Sequence, residues 1–116
     1  MGLSTHVLDT MHGRPAAGMA VELYATQGGE STLIKRFVTN ADGRSEGLLL
    51  DTASLHVGTY RLTFDVEGYF KAHGVTLPTP NFLHRVSLDF GIADPGQHYH
   101  VPLLVSPWSY STYRGS

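Results

Sequence analysis

The chain is written in short runs of alternating apolar and polar residues, each closed by a turn rich in glycine, asparagine or aspartate. That rhythm limits the folds open to it. In the clearest run, Tyr60 to Val66, the residues Tyr60, Leu62, Phe64 and Val66 fall on one side of an extended strand, and Arg61, Thr63 and Asp65 on the other. The same period of two recurs in Leu3 to Asp9, Met19 to Thr26, Thr32 to Thr39, His84 to Gly91, Gln97 to Val105 and Trp108 to Tyr113.

Turns separate these runs. Gln27-Gly28-Gly29-Glu30 reads as a hairpin loop, Asn40-Ala41-Asp42-Gly43 and Ala93-Asp94-Pro95-Gly96 as further turns, and His12-Gly13-Arg14-Pro15 as another. Leu48 to Val57 reads as loop with one helical turn. The period breaks at Glu67 to His73, where Tyr69, Phe70 and Ala72 fit one face of a short helix ended by Gly74. About seven or eight strands and one short helix are the pattern of an all-β, two-sheet sandwich. No linker or repeat interrupts it, so residues 1–116 read as a single domain.

Composition narrows the partners. Hydrophobic residues make up 41% and charged ones 16%, with a net charge of −2 and no basic cluster, which argues against nucleic acid and anionic membrane. Cysteine is absent, removing disulfides, thiolate catalysis and cysteine-based zinc sites. The first fifteen residues have no secretory pattern, His6 occupies the position where a myristoylation signal needs Ser or Thr, and no apolar run reaches membrane length. A cytoplasmic protein is expected.

Seven histidines mark the candidate chemistry. His12, His56, His73 and His84 fall in turns or at run ends with no partner visible in the sequence, the setting of ordinary surface or packing histidines. His6 shares a strand face with Ser4 and Leu8. His98 and His100 share another, with imidazoles about 6.5 to 7 Å apart along the strand. That spacing suits zinc ligation, acid/base chemistry near neutrality, or simply a polar strand face. Arg44 follows the Asp42-Gly43 turn, where its guanidinium either holds an anion or is solvated. Tyr113-Arg114-Gly115-Ser116 ends the chain with a phenol, a guanidinium and hydroxyls, as a site element or as a frayed tail.

Together these segments resemble the 5-hydroxyisourate hydrolases, the transthyretin-related proteins of purine catabolism. The resemblance runs through Leu3-Ser4-Thr5-His6-Val7-Leu8-Asp9, Gly13-Arg14-Pro15-Ala16, Thr39-Asn40-Ala41-Asp42-Gly43-Arg44 and Gly68-Tyr69-Phe70. It continues in His98-Tyr99-His100-Val101-Pro102-Leu103-Leu104, Ser106-Pro107 and Tyr110 to Ser116. The terminal Tyr-Arg-Gly-Ser is similar to the hydrolases rather than to transthyretin, the hormone carrier of the same fold.

The resemblance implies a transthyretin-like sandwich assembled as a homotetramer, a dimer of dimers, with sites in a channel between subunits. It implies cofactor-free, metal-free hydrolysis of 5-hydroxyisourate to 2-oxo-4-hydroxy-4-carboxy-5-ureidoimidazoline in urate degradation. His6, Arg44 and His100 match the family's catalytic positions, where transthyretin carries lysine, glutamate and threonine. His98, Tyr113, Arg114 and Ser116 are expected to contact the substrate. Two alternatives remain at this point: a transthyretin-like carrier of an aromatic hormone-type ligand, and a zinc enzyme using His6, His98 and His100.

Overall fold

The computed structural model describes residues 2–116. Among them are nine strands and one helix: β1 (Gly2–Asp9), β2 (Arg14–Pro15), β3 (Ala20–Gln27), β4 (Glu30–Val38), β5 (Leu50–Asp51), β6 (Gly58–Phe64), α1 (Val66–Ala72), β7 (Val86–Ile92), β8 (Tyr99–Val105) and β9 (Tyr110–Thr112). One sheet has the order β2-β1-β8-β9, with β5 also on β1, and the other β4-β3-β6-β7. The expected transthyretin-like two-sheet sandwich is present, with two strands of only two residues beyond the seven or eight anticipated.

The alternation dictates how the sheets meet. Leu3, Val7, Val21, Leu23, Leu62, Phe64, Leu103 and Val105 are wholly buried, and they come from the inner faces of β1, β3, β6 and β8. Their burial removes apolar surface from water and holds the sheets face to face. The outer face of β1 carries Ser4, His6 and Leu8, all half-buried. β3 and β4 are joined by Gly28-Gly29 in a two-residue turn, both at positive φ (58° and 84°), as the Gln27↔Glu30 pairing requires.

Differences from the sequence reading have local causes. Arg14–Pro15, read as a turn, pairs with Asp9 and Leu8 of β1. Leu48 to Val57 does contain one turn of helical type, the Leu55 amide donating to the Asp51 carbonyl at 3.1 Å, but Leu50 and Asp51 also pair with Leu3 and Gly2, burying Leu49, Leu50 and Leu55. Val66 leaves the strand to open α1, because Asp65 caps the helix by accepting from the Gly68 amide at 3.0 Å. The helix buries Val66, Tyr69 and Phe70, while Ala72, expected on that face, is exposed. Gly74 follows at φ 83°, the left-handed conformation that ends the helix. No helix among the described residues is long and apolar enough to cross a membrane.

The pairing that matters most for function is that of β1 with β8, which is parallel and in register Ser4↔His100 and His6↔Pro102. It joins segments more than ninety residues apart.

Candidate active site

Alternation and the β1–β8 register bring His6 and His100 onto one open sheet face. His6 is two residues along β1 from Ser4, the partner of His100, so the two imidazoles lie diagonally across adjacent strands, roughly 8 Å apart at the backbone. Arg44 reaches this face by a loop. Asn40 Oδ1 accepts from the amides of Asp42 (2.9 Å) and Arg44 (3.0 Å), and the Asn40 carbonyl from Gly43 (2.9 Å). The Val7 amide then donates to the Gly43 carbonyl at 2.8 Å, docking the turn against β1 beside His6.

The electrostatics of the face follow from this convergence. Burial, then the Arg44 guanidinium, hold the His6 pKa below the usual imidazole value, against the opposing effect of a hydrogen bond to the Asp42 backbone. His100 is lowered too, first by burial and then by Arg44, His6 and His98, against the opposing effect of a hydrogen bond to the Ser4 backbone. Both rings are therefore kept neutral at neutral pH, a state in which imidazole can accept a proton or donate a hydrogen bond.

Ser4 ties the two β8 histidines together. Its Oγ lies 2.8 Å from His100 Nδ1 and 3.1 Å from His98 Nε2, while the Gly2 amide donates to His98 Nδ1 at 3.1 Å. Both ring nitrogens of His98 are thus engaged within the chain. Sequence reasoning assigned no role to Ser4, although its place two residues before His6 on the same face was the available signal.

The C-terminal tetrapeptide divides. Gly115 forms a bridge with His100, exchanging backbone hydrogen bonds of 3.1 and 2.7 Å, so the tail crosses the histidine. Arg114, expected at the substrate, donates to Gln97 Oε1 (2.9 Å) and the His98 carbonyl (3.2 Å), and its guanidinium carbon lies 4.2 Å from the centroid of the Tyr99 ring. Tyr99 and His100 are consecutive on a strand and face opposite ways. Exposed Tyr113 and Arg114 line a cleft of about 270 Å³ between β7 and the β8–β9 edge, with Phe90 and Val101. Ser116 is exposed at the end of the tail.

Three of the histidines set aside as unpartnered do have partners. His12 Nδ1 lies 2.6 Å from Asp9 Oδ2, His73 Nδ1 lies 2.9 Å from the Tyr69 carbonyl, and His84 Nδ1 is 3.6 Å from Glu67. None joins the outer face. Among the described residues no group of three or more His, Cys, Asp or Glu side chains converges on a metal position.

Comparison with known proteins gives the family and the fold. Residues 3–115 match the model of the HIUase/Transthyretin family. 5-Hydroxyisourate hydrolase 2 of Rhizobium meliloti is 54% identical over 98% of this chain and 95% of its own length. Among solved structures, (S)-allantoin synthase matches at TM-score 0.91 and 48% identity, with 99% of this chain spanning 44% of that one. Klebsiella pneumoniae 5-hydroxyisourate hydrolase matches at 0.76 and 38%, over 98% of both chains. Sea bream transthyretin in complex with thyroxine matches at 0.85 and 30%, over 97% of this chain and 93% of that one. Backbone shape alone does not separate hydrolase from carrier, since the transthyretin superposes better than the Klebsiella enzyme. Identity ranks them the other way, and the outer face of β1 and β8 carries the histidines and the arginine. This chain belongs to the HIUase/Transthyretin family.

Proposed function

We propose that the protein is a 5-hydroxyisourate hydrolase of urate degradation, opening the six-membered ring of its substrate to 2-oxo-4-hydroxy-4-carboxy-5-ureidoimidazoline. The observation that carries this reading is the convergence of His6, Arg44 and His100 on one open sheet face. The full-length identity to named hydrolases supports it.

In the mechanism, a neutral histidine of this face takes a proton from water as the water oxygen attacks the ring carbonyl. Arg44 binds the oxygen-rich heterocycle and stabilises the developing oxyanion. The ring C–N bond then breaks, the nitrogen taking that proton as a ureido N–H and the carbon becoming a carboxylic acid, which ionises to carboxylate by losing its own proton to solvent. Tyr113 and Ser116 close the tail side of the site, while His98 and Arg114 shape it from their positions around β8. No cofactor enters any of these steps.

The reading extends to a homotetramer in the cytoplasm. β7 and β9 each form one edge of their sheet and flank one apolar cleft, an arrangement a second copy of the chain would cover. A solution mass measurement checks the assembly, and fractionation the compartment.

The decisive assay follows the absorbance decay of freshly generated 5-hydroxyisourate. Arg44→Ala and His100→Ala should each lower turnover by roughly 10²- to 10⁴-fold in folded protein, and wild-type rates in either would overturn the site. Tight thyroxine binding without turnover would instead establish the carrier. Activity lost on exhaustive chelation would establish a metal enzyme.

A further inference from the structure

We propose that Ser4 is a positioning residue that fixes the tautomer of His100, through a one-directional hydrogen-bond chain from the Gly2 amide to His98, Ser4 and His100. The inference rests on the hydrolase reading for its consequence, but not for its geometry.

The direction follows from counting donors. The Gly2 backbone nitrogen is an amide and can only donate, so His98 Nδ1, 3.1 Å away, presents its lone pair. Neutral imidazole carries one N–H, which in His98 therefore sits on Nε2 and donates to Ser4 Oγ at 3.1 Å. The hydroxyl's single proton then goes to the other group it faces, His100 Nδ1 at 2.8 Å. His100 is left with its own proton on Nε2. The reverse arrangement, with His100 Nδ1–H turned to the Ser4 backbone that also meets this ring, would leave Ser4 Oγ accepting from His98 with its own proton lacking either of these two partners.

This divides labour between histidines whose roles the residue types alone leave equal. His6 has a hydrogen bond to the Asp42 backbone, so one ring nitrogen carries N–H and the other a lone pair. His6 is then the base that takes the water proton and returns it to the departing ring nitrogen. His100 stays neutral throughout and presents Nε2–H to the oxygen on which charge develops, beside Arg44. Water is consumed, His6 is regenerated neutral, and the remaining water hydrogen leaves to solvent as the new carboxyl group ionises, with no net charge left on the protein.

Three substitutions and one measurement test this. Nitrogen-15 imidazole spectra of the intact protein at neutral pH should show His100 Nδ1 as a lone-pair nitrogen and Nε2 as protonated; a protonated Nδ1 overturns the proposal whatever the activity. Ser4→Thr keeps the hydroxyl and should hold kcat within about threefold of wild type. Ser4→Ala should lower kcat about tenfold, the worth of one ordinary hydrogen bond, with little change in KM. Ser4→Asp still contacts both rings, but its carboxylate only accepts, forcing the proton of His100 onto Nδ1, and kcat should fall below that of Ser4→Ala. If Ser4→Asp matches Ser4→Thr, or Ser4→Ala matches wild type, Ser4 sets no tautomer. Absence of turnover in the wild type would defeat the hydrolase reading instead and leave the spectra to decide this one.

Discussion

Gly115 lies against the ring of His100 so closely that a Cβ on it would stand 3.0 Å from Cδ2 and 3.1 Å from Cβ of the histidine. The two residues also exchange backbone hydrogen bonds of 3.1 and 2.7 Å. A glycine in the terminal tetrapeptide thus admits the tail across the histidine, and the tail in turn confines the ring.

Gly115→Ala is expected to displace the His100 ring by tenths of an ångström and lower kcat roughly tenfold, because orientation errors of about 1 Å cost on the order of 10²-fold. The thermal midpoint should barely move, since the contact lies on the half-buried outer face. Removing residues 113–116 should impair turnover more than folding, because Leu103 and Val105 keep β8 in the core without the tail. Full activity in the truncated protein would show that the tail takes no part.

His6 and His100 should both titrate below about 6.5, the ordinary imidazole value, when followed by NMR. With the folded pKa values lowered, the unfolded chain binds more protons around and just below that value. These rings therefore withdraw stability as pH falls through the unfolded value toward the folded ones, and withdraw none above it. The acid limb of kcat/KM should fall correspondingly low. Arg44→Gln removes the second-largest cause for each ring, so both titrations should move up part of the way, burial holding the remainder. Unmoved titrations would mean that Arg44 does not face the histidines.

Asp9 is the anchor at the opposite end of β1. Its side chain is fully buried, Oδ2 accepting from the Tyr69 hydroxyl at 2.8 Å and lying 2.6 Å from His12 Nδ1. Burial alone would raise its pKa, but the hydrogen bonds from His12 and Tyr69 more than offset it and hold the carboxyl low. Its contribution to stability is therefore present above the ordinary carboxylate value of about 3.9 and lost as pH falls through the lower folded value. Tyr69→Phe should reduce unfolding free energy by about 1.5 to 3 kcal/mol, the range for a hydrogen bond to a charged group. Urea unfolding measures it, and a loss below half a kilocalorie would remove the anchor role.

Much of this was legible in the sequence because alternation reports which side of a strand is apolar. The inner faces of β1, β3, β6, β7 and β8 and the turns at Gly28-Gly29 and Gly43 follow from it. Two-residue strands such as β2 and β5 are too short to show a period, so Arg14–Pro15 and Leu50–Asp51 read only as turn and loop. The parallel pairing of β1 with β8 has no local signature at all, so Ser4 and His100 could be placed on strand faces but not against each other. The same blindness hid the Asp9–Tyr69 contact and the packing of Arg114 over the Tyr99 ring.

Gly43 supplies the last test, because it holds two constraints that another glycine separates. It lies at φ 75°, where an L-residue is strained by about 1 to 2 kcal/mol, and its Cβ would stand 2.3 Å from the Val7 carbonyl oxygen. Gly18, at φ 84°, has open space around the same position. Gly18→Ala should thus show the conformational strain alone, with turnover intact. Gly43→Ala should lose more stability than that, because backbone cannot yield as a side-chain tip does. It should also lose turnover, as the loop lifts from β1 and carries Arg44 off the histidine face. If the two substitutions prove equal in urea unfolding and in kcat, the docking of this turn on Val7 does not position Arg44.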